Sequence, residues 1–77
     1  MTHMTISIDN RPLIFQGQIV DRVGEAAVVK THTNRYIPVA IVDGAMRAIG
    51  PMVDYLSNAR MTMREYRPQH IDIAVLS

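Results

Sequence analysis

Three β-rich runs separated by short polar breaks fill the middle of this chain and leave it few architectures. The runs cover residues 13–20, 26–29 and 36–42, and the breaks are residues 21–25 and 31–35. Strand-length apolar segments joined by a few polar residues are the pattern of consecutive hairpins. Residues 5–9, Thr-Ile-Ser-Ile-Asp, alternate polar and apolar positions and add a half-buried strand ahead of them. Asn10-Arg11-Pro12 breaks that strand, because proline fixes φ and removes a donor. The strands expected are therefore 5–9, 13–22, 26–32 and 36–42.

Two residues inside these runs shape the sheet. Gly17 marks a bulge or a sharp bend, which a small sheet needs if it is to curl over its own core. Pro38 cannot donate to a ladder and places its strand at an edge or a bulge. After Asp43-Gly44 the pattern changes. Met46, Ile49, Val53 and Leu56 recur at helical spacing. Gly50-Pro51 interrupts it, so the spacing predicts a helical turn over 44–49. A main helix then starts with Pro51 in its first turn and runs to about Tyr66, where Arg67-Pro68 stops it. Residues 71–76, Ile-Asp-Ile-Ala-Val-Leu, read as a last strand.

The expected fold class is α+β. It is a small curled antiparallel sheet of four to five strands, partly barrel-like, with one helix in the C-terminal half and the order β-β-β-β-α-β. A more open sheet whose last strand pairs with another copy is the alternative. Residues 1–77 form a single domain, with residues 1–4 expected to be disordered or in part an appended remnant ahead of Met4. The apolar members of these patterns, Phe15, Ile19, Val29, Val39, Ile41, Ile49, Val53, Leu56 and Ile73, are the expected core.

Composition narrows the function classes. Seventy-seven residues with no cysteine must be held by one small core of Val, Ile, Leu, Ala and Met. A chain of this size gains stability by sharing a buried face, so a homo-oligomer, a homodimer above all, is expected. The formal net charge of +1 is not the footprint of a protein devoted to nucleic acid. The missing cysteines remove disulfides, thiolate nucleophiles and zinc-thiolate sites. No apolar stretch has the length to cross a bilayer, and the N-terminus lacks the pattern of a secretory signal, so no membrane partner and a cytoplasmic location are expected.

Phe15-Gln16-Gly17-Gln18-Ile19-Val20 resembles the second-strand segment of two small-barrel families. One is the Sm-like RNA chaperone of bacteria, with a Leu-Gln-Gly-Gln-Ile run bent around its glycine. The other is the plasmid-borne type II dihydrofolate reductase, an SH3-like barrel with Gln-Gly-Gln-Ile-Val and a later Tyr-Pro-Val-Ala; here that segment reads Tyr36-Ile37-Pro38-Val39-Ala40. The resemblance covers about residues 13–42 and implies a small curled barrel. It carries no functional residue across. The chaperone's Tyr-Lys-His signature is missing. Asn34, Arg35, Tyr36 and Ile37 stand where the reductase's pore-lining Val-Gln-Ile-Tyr would fall, and Asp9 stands in place of a functional lysine.

Two groups of side chains are candidate contact sites. Lys30, His32 and Arg35 lie in the most polar segment of the sheet region, at a loop tip held by rigid strands. Arg60, Arg64 and Arg67 recur at four and three, so they stack along one side of the helix. Seven of the eight basic residues are arginine, suited to bidentate contact with carboxylate or phosphate. These six residues are the expected partner-binding set, with an acidic protein as the favoured partner and nucleic acid as the alternative. Cations near a helix C-terminus also complement its dipole, the bland reading of the stripe. His70 and Asp72 share a strand face, but no further ligands accompany them, so no metal site and no cofactor are expected. Met46 and Met52 fall on the core stripe. Met61 and Met63 cannot share a helix face, so one of them meets solvent or a second chain. Ser7, Ser57 and Ser77 lack the context of a nucleophile. The expected function is a small non-enzymatic protein-interaction or regulatory module.

Overall fold

The computed structural model describes residues 2–67. Five strands precede one helix: β1 (Thr2–Ile8), β2 (Arg11–Val23), β3 (Ala26–Thr31), β4 (Tyr36–Val42), β5 (Ala45–Ala48) and α1 (Leu56–Glu65). Each strand pairs with the next, and β5 returns to β1, closing a small barrel. The α+β class with a curled sheet and one later helix is therefore the observed one. Thr2, His3 and Met4, expected outside the ordered domain, pair with Gly17, Gln16 and Phe15.

The turns follow from residues that tolerate left-handed backbone. Asp9 and Asn10 (φ 51° and 65°) join β1 to β2, and Asp43 and Gly44 (φ 53° and 79°) join β4 to β5. Two central residues with positive φ give the I′ geometry whose twist suits a two-residue hairpin. The β3–β4 connection is longer. Asn34 N donates to Thr31 O (3.0 Å), and Thr31 N donates to Arg35 O (2.8 Å). Asn34 sits at φ 62°, which completes a three-residue loop with its left-handed residue last.

Closure corrects the expectation of a purely antiparallel sheet. When successive strands are antiparallel and their number is odd, the first and last must point the same way. The closing pair is accordingly parallel, and it is short: Ile6 beside Met46 and Ser7 beside Arg47.

The order β-β-β-β-α-β is corrected as well, because residues 45–48 form a strand where a helical turn was expected. Met46 and Ala48 turn inward against the barrel core, while Ala45 and Arg47 are exposed, a period of two rather than 3.6. The pairing with β4 then continues past Ala48. Ile49 N donates to Pro38 O (2.9 Å), and Tyr36 and Val53 exchange two backbone bonds of 2.8 and 2.9 Å. That bridge holds residue 53 extended, so α1 starts at Leu56 rather than at Pro51. The last strand expected over 71–76, and Ile73 with it, lies outside the described residues.

The core is divided in two by the sheet. Ile6, Ala27, Val29, Ile37 and Val39 fill the barrel, with Phe15, Ile41 and Met46 packed around them. Ala26, Val28, Ala59 and Met63 form a second cluster beneath α1, flanked by Ile49, Val53 and Leu56. β3 and β4 are thus covered on both faces, which explains why Ala26–Val29 and Ile37–Ala40 are all buried. Pro38, opposite Val28 in the register, is central rather than at an edge. Its carbonyl takes the Ile49 N–H, so of the two bonds such a pair would exchange only the one that proline would donate is missing. Met63 is buried and Met61 is 60% exposed, while Met52, expected on the core stripe, is 37% exposed. Ile19 is 39% exposed, next to the register shift that separates it from Asp21.

Candidate functional site

The six residues expected to bind a partner come from two parts of the fold, β3 with its following loop and the helix α1 with its end. Lys30 lies half-buried on β3, flanked in the register by Gln18 and Tyr36. His32 is exposed at the β3–β4 loop, where its backbone N–H donates to Gln16 O (2.9 Å). Arg35, at the base of the same loop, makes an exposed ion pair with Asp54 (3.4 Å). The helical three lie on α1 and just beyond its end, along a ten-residue helix about 15 Å long.

Two of those three arginines serve the fold itself. Arg60 Nε donates to Asp21 Oδ2 at 2.7 Å, tying the middle of α1 to the register shift in β2. Arg67 Nη1 donates to the carbonyls of Arg64 and Tyr66, both at 3.0 Å, and so satisfies acceptors that the helix end leaves open. The helix dipole argument therefore accounts for Arg67, and a partner on β2, 39 residues earlier in sequence, accounts for Arg60. Arg64 is exposed. Because the Arg60–Asp21 pair is partly exposed, a double-mutant cycle with Arg60→Ala and Asp21→Ala should give a coupling of about 0.2–1 kcal/mol in chemical denaturation. Zero coupling would mean that the pair does not hold in solution.

A different surface emerges from the register. The helix covers the outer face of β3, part of β4 and Val20 of β2. Among the described residues the outer face over the end of β4, β5, β1 and the first half of β2 is left open. Pairing of Val42 with Ala45 and of Thr5 with Ile14 sets the ends of one lateral row. The β1–β5 register sets Ala45 beside Thr5, so the row reads Val42, Ala45, Thr5, Ile14. The next row reads Ala40, Arg47, Ser7, Pro12 by the same pairings. Ile14 is 73% exposed and Val42 39%.

Two cavities open on either side of Ser7 and Ala45, and both reach the inward-facing Met46. One, of about 520 Å³, lies towards Thr5, Pro12 and Gly44. The other, of about 410 Å³, lies between Arg47 and Tyr66, above Ala40 and Val42. Small residues make the floor and Tyr66 a wall. Arg47 is the one cation in the two rows, and neither it nor exposed Asp43 makes an ion pair among the described residues.

None of the residues on this face was expected from sequence to be a contact site. Ile14 gave a partial signal, since the unbroken run Leu13-Ile14-Phe15 must turn one apolar side chain outward in any strand. The rest depends on which strands stand side by side. His70 and Asp72 lie outside the described residues, and among those described no group of three or more His, Asp or Glu side chains gathers. Among the described residues no helix is long and apolar enough to cross a membrane. Compared with known proteins, the chain matches no family model, no curated protein and no solved structure.

Proposed function

We propose that this chain is a small non-enzymatic protein-interaction module that works as a homo-oligomer in the cytoplasm. One observation carries the reading: a face spanning four strands, with Val42, Ala45, Ile14 and Pro12 outward, that the helix does not cover. A contiguous exposed apolar face on a small domain marks a place where another surface sits. The barrel is of the size and strand number that SH3-like and Sm-like families use, and a common origin with them belongs to the same reading. An acidic partner would meet Arg47 on this face, in place of the helical arginines first considered.

The competing reading, RNA or DNA held by Arg60, Arg64 and Arg67, is less well supported. Arg60 is committed to Asp21 and Arg67 to the helix end, so among the described residues Arg64 is the guanidinium of that stripe left without such a bond. A binder that neutralises several phosphates must lose affinity steeply as salt rises. Titration of labelled single- and double-stranded oligonucleotides at low salt should show no saturable binding. Light scattering over a concentration series should show the chain associating with itself. Tight, salt-sensitive oligonucleotide binding by a monomer would reverse the order of the two readings.

A further inference from the structure

The open face is self-complementary, and we propose that its occupant is a second copy of this chain, packed face to face across a two-fold axis over Ala45. The inference rests on the interaction-module reading and names the surface and the partner. Along the β4–β5 turn and β5 the sequence reads Asp43-Gly44-Ala45-Met46-Arg47, with opposite charges two residues either side of Ala45. A strand rises roughly 3.3 Å per residue, so Arg47 stands about 7 Å from the Ala45 row on one side, while Asp43, next to Val42 in the turn, stands one residue beyond that row on the other.

An axis running across the strands at Ala45 reverses the strand direction of the second copy. Asp43 of each chain then comes within reach of the long Arg47 side chain of the other, twice, and both charges are exposed and make no ion pair among the described residues. The row Val42, Ala45, Thr5, Ile14 lies along the axis, so each of its apolar members meets its own image. The same operation brings Ser7 over His3 of the second copy and Pro12 over Gln16, because His3 pairs with Gln16 one row beyond Thr5 and Ile14.

The shape agrees with the charge. Aligned sheets pack about 10 Å apart, and the small floor residues Ser7, Ala40 and Ala45 allow that approach. The cavity of about 410 Å³ between Arg47 and Tyr66 is where the Asp43-Gly44 turn of the second copy would sit. An isologous contact of this kind closes on itself and leaves no open surface to propagate.

Sedimentation velocity on the full chain over a micromolar range tests this, with far-UV circular dichroism confirming that each variant is folded. The native chain should show a concentration-dependent monomer–dimer equilibrium, and Ala45→Glu should make it monomeric. Arg47→Asp should raise the dissociation constant at least about tenfold by setting like charges against each other. Adding Asp43→Arg to Arg47→Asp should restore the dimer, since the swap rebuilds both cross-pairs. A dimer that survives Ala45→Glu would overturn this face while leaving self-association intact. A native chain monomeric throughout would overturn both this inference and the oligomer reading. A chain that dimerises only after deletion of residues 68–77 would make its own tail the occupant and overturn the proposal.

Discussion

Gly17→Val should leave the chain unfolded or nearly so, the largest effect expected of any single substitution in the described residues. Gly17 is the residue at which β2 changes partners. On one side it pairs with Thr2 of β1, and on the other with Thr31 of β3. At that change of partners the β3 backbone comes close to the β2 glycine. An added Cβ would stand 2.5 Å from the Lys30 carbonyl oxygen and 3.2 Å from Val29 Cγ1. The first of these is backbone within a ladder and has no rotamer to change. Relief would require the β2–β3 register to open, at the point where the barrel takes its curvature. Overpacking of an ordinary core costs about 1–3 kcal/mol, and a backbone clash exceeds that range. Against a total stability of roughly 5–15 kcal/mol, lower for so small a domain, the native state is largely lost. Loss of the cooperative thermal transition is the expected readout; a Gly17→Val chain that melts like the parent would show that the β3 backbone does not press on this position.

Ile37→Ala should cost about 2–5 kcal/mol, enough to bring the melting midpoint down by many degrees. Ile37 is fully buried inside the barrel, opposite Val29, and is among the largest fully buried side chains. Its neighbours belong to a closed sheet fixed by hydrogen bonds on every side, so the cavity left behind cannot collapse. Leu56→Ala is the informative comparison. Leu56 is only partly buried at the first turn of α1, and the helix can settle onto the sheet when it is truncated. Its cost should therefore fall clearly below that of Ile37→Ala in urea unfolding. Equal costs would place the helix contact, not the barrel interior, at the centre of stability.

These two expectations stand on different footing in the sequence. Gly17 is legible: a lone glycine in a run of β-formers signals a bend or a close approach, and the structure supplies the second. Its conformation is not left-handed, and the irregularity in β2 falls after Ile19 rather than at the glycine. Ile37 is less legible, because residues 36–42 are apolar nearly throughout. Alternation cannot tell the inner face from the outer when both are covered, and Phe15 and Ile41 look like equally good core residues.

Residue order alone carried the first four strands and their turns. Local chemistry suffices for Asp9-Asn10, Asn34 and Asp43-Gly44, where the residue type and the positive φ go together. It also determined that one helix follows the sheet and that either Met61 or Met63 must face outward. Tertiary structure decided the rest. Residues 45–53 carry apolar side chains at a spacing that suits a helix. Even so residues 45–49 and residue 53 are held against β4, because the open edge of β4 offers hydrogen bonds and the barrel interior takes Met46 and Ala48. The parallel closure of β1 on β5 is a matter of strand parity, invisible in any one segment. The arginine stripe is a correct helical pattern, but Asp21, a distant carboxylate brought close by folding, decides what Arg60 does. The open face has the same origin. Val42, Ala45, Thr5 and Ile14 come from four separate strands, and only the register that joins those strands makes them one surface.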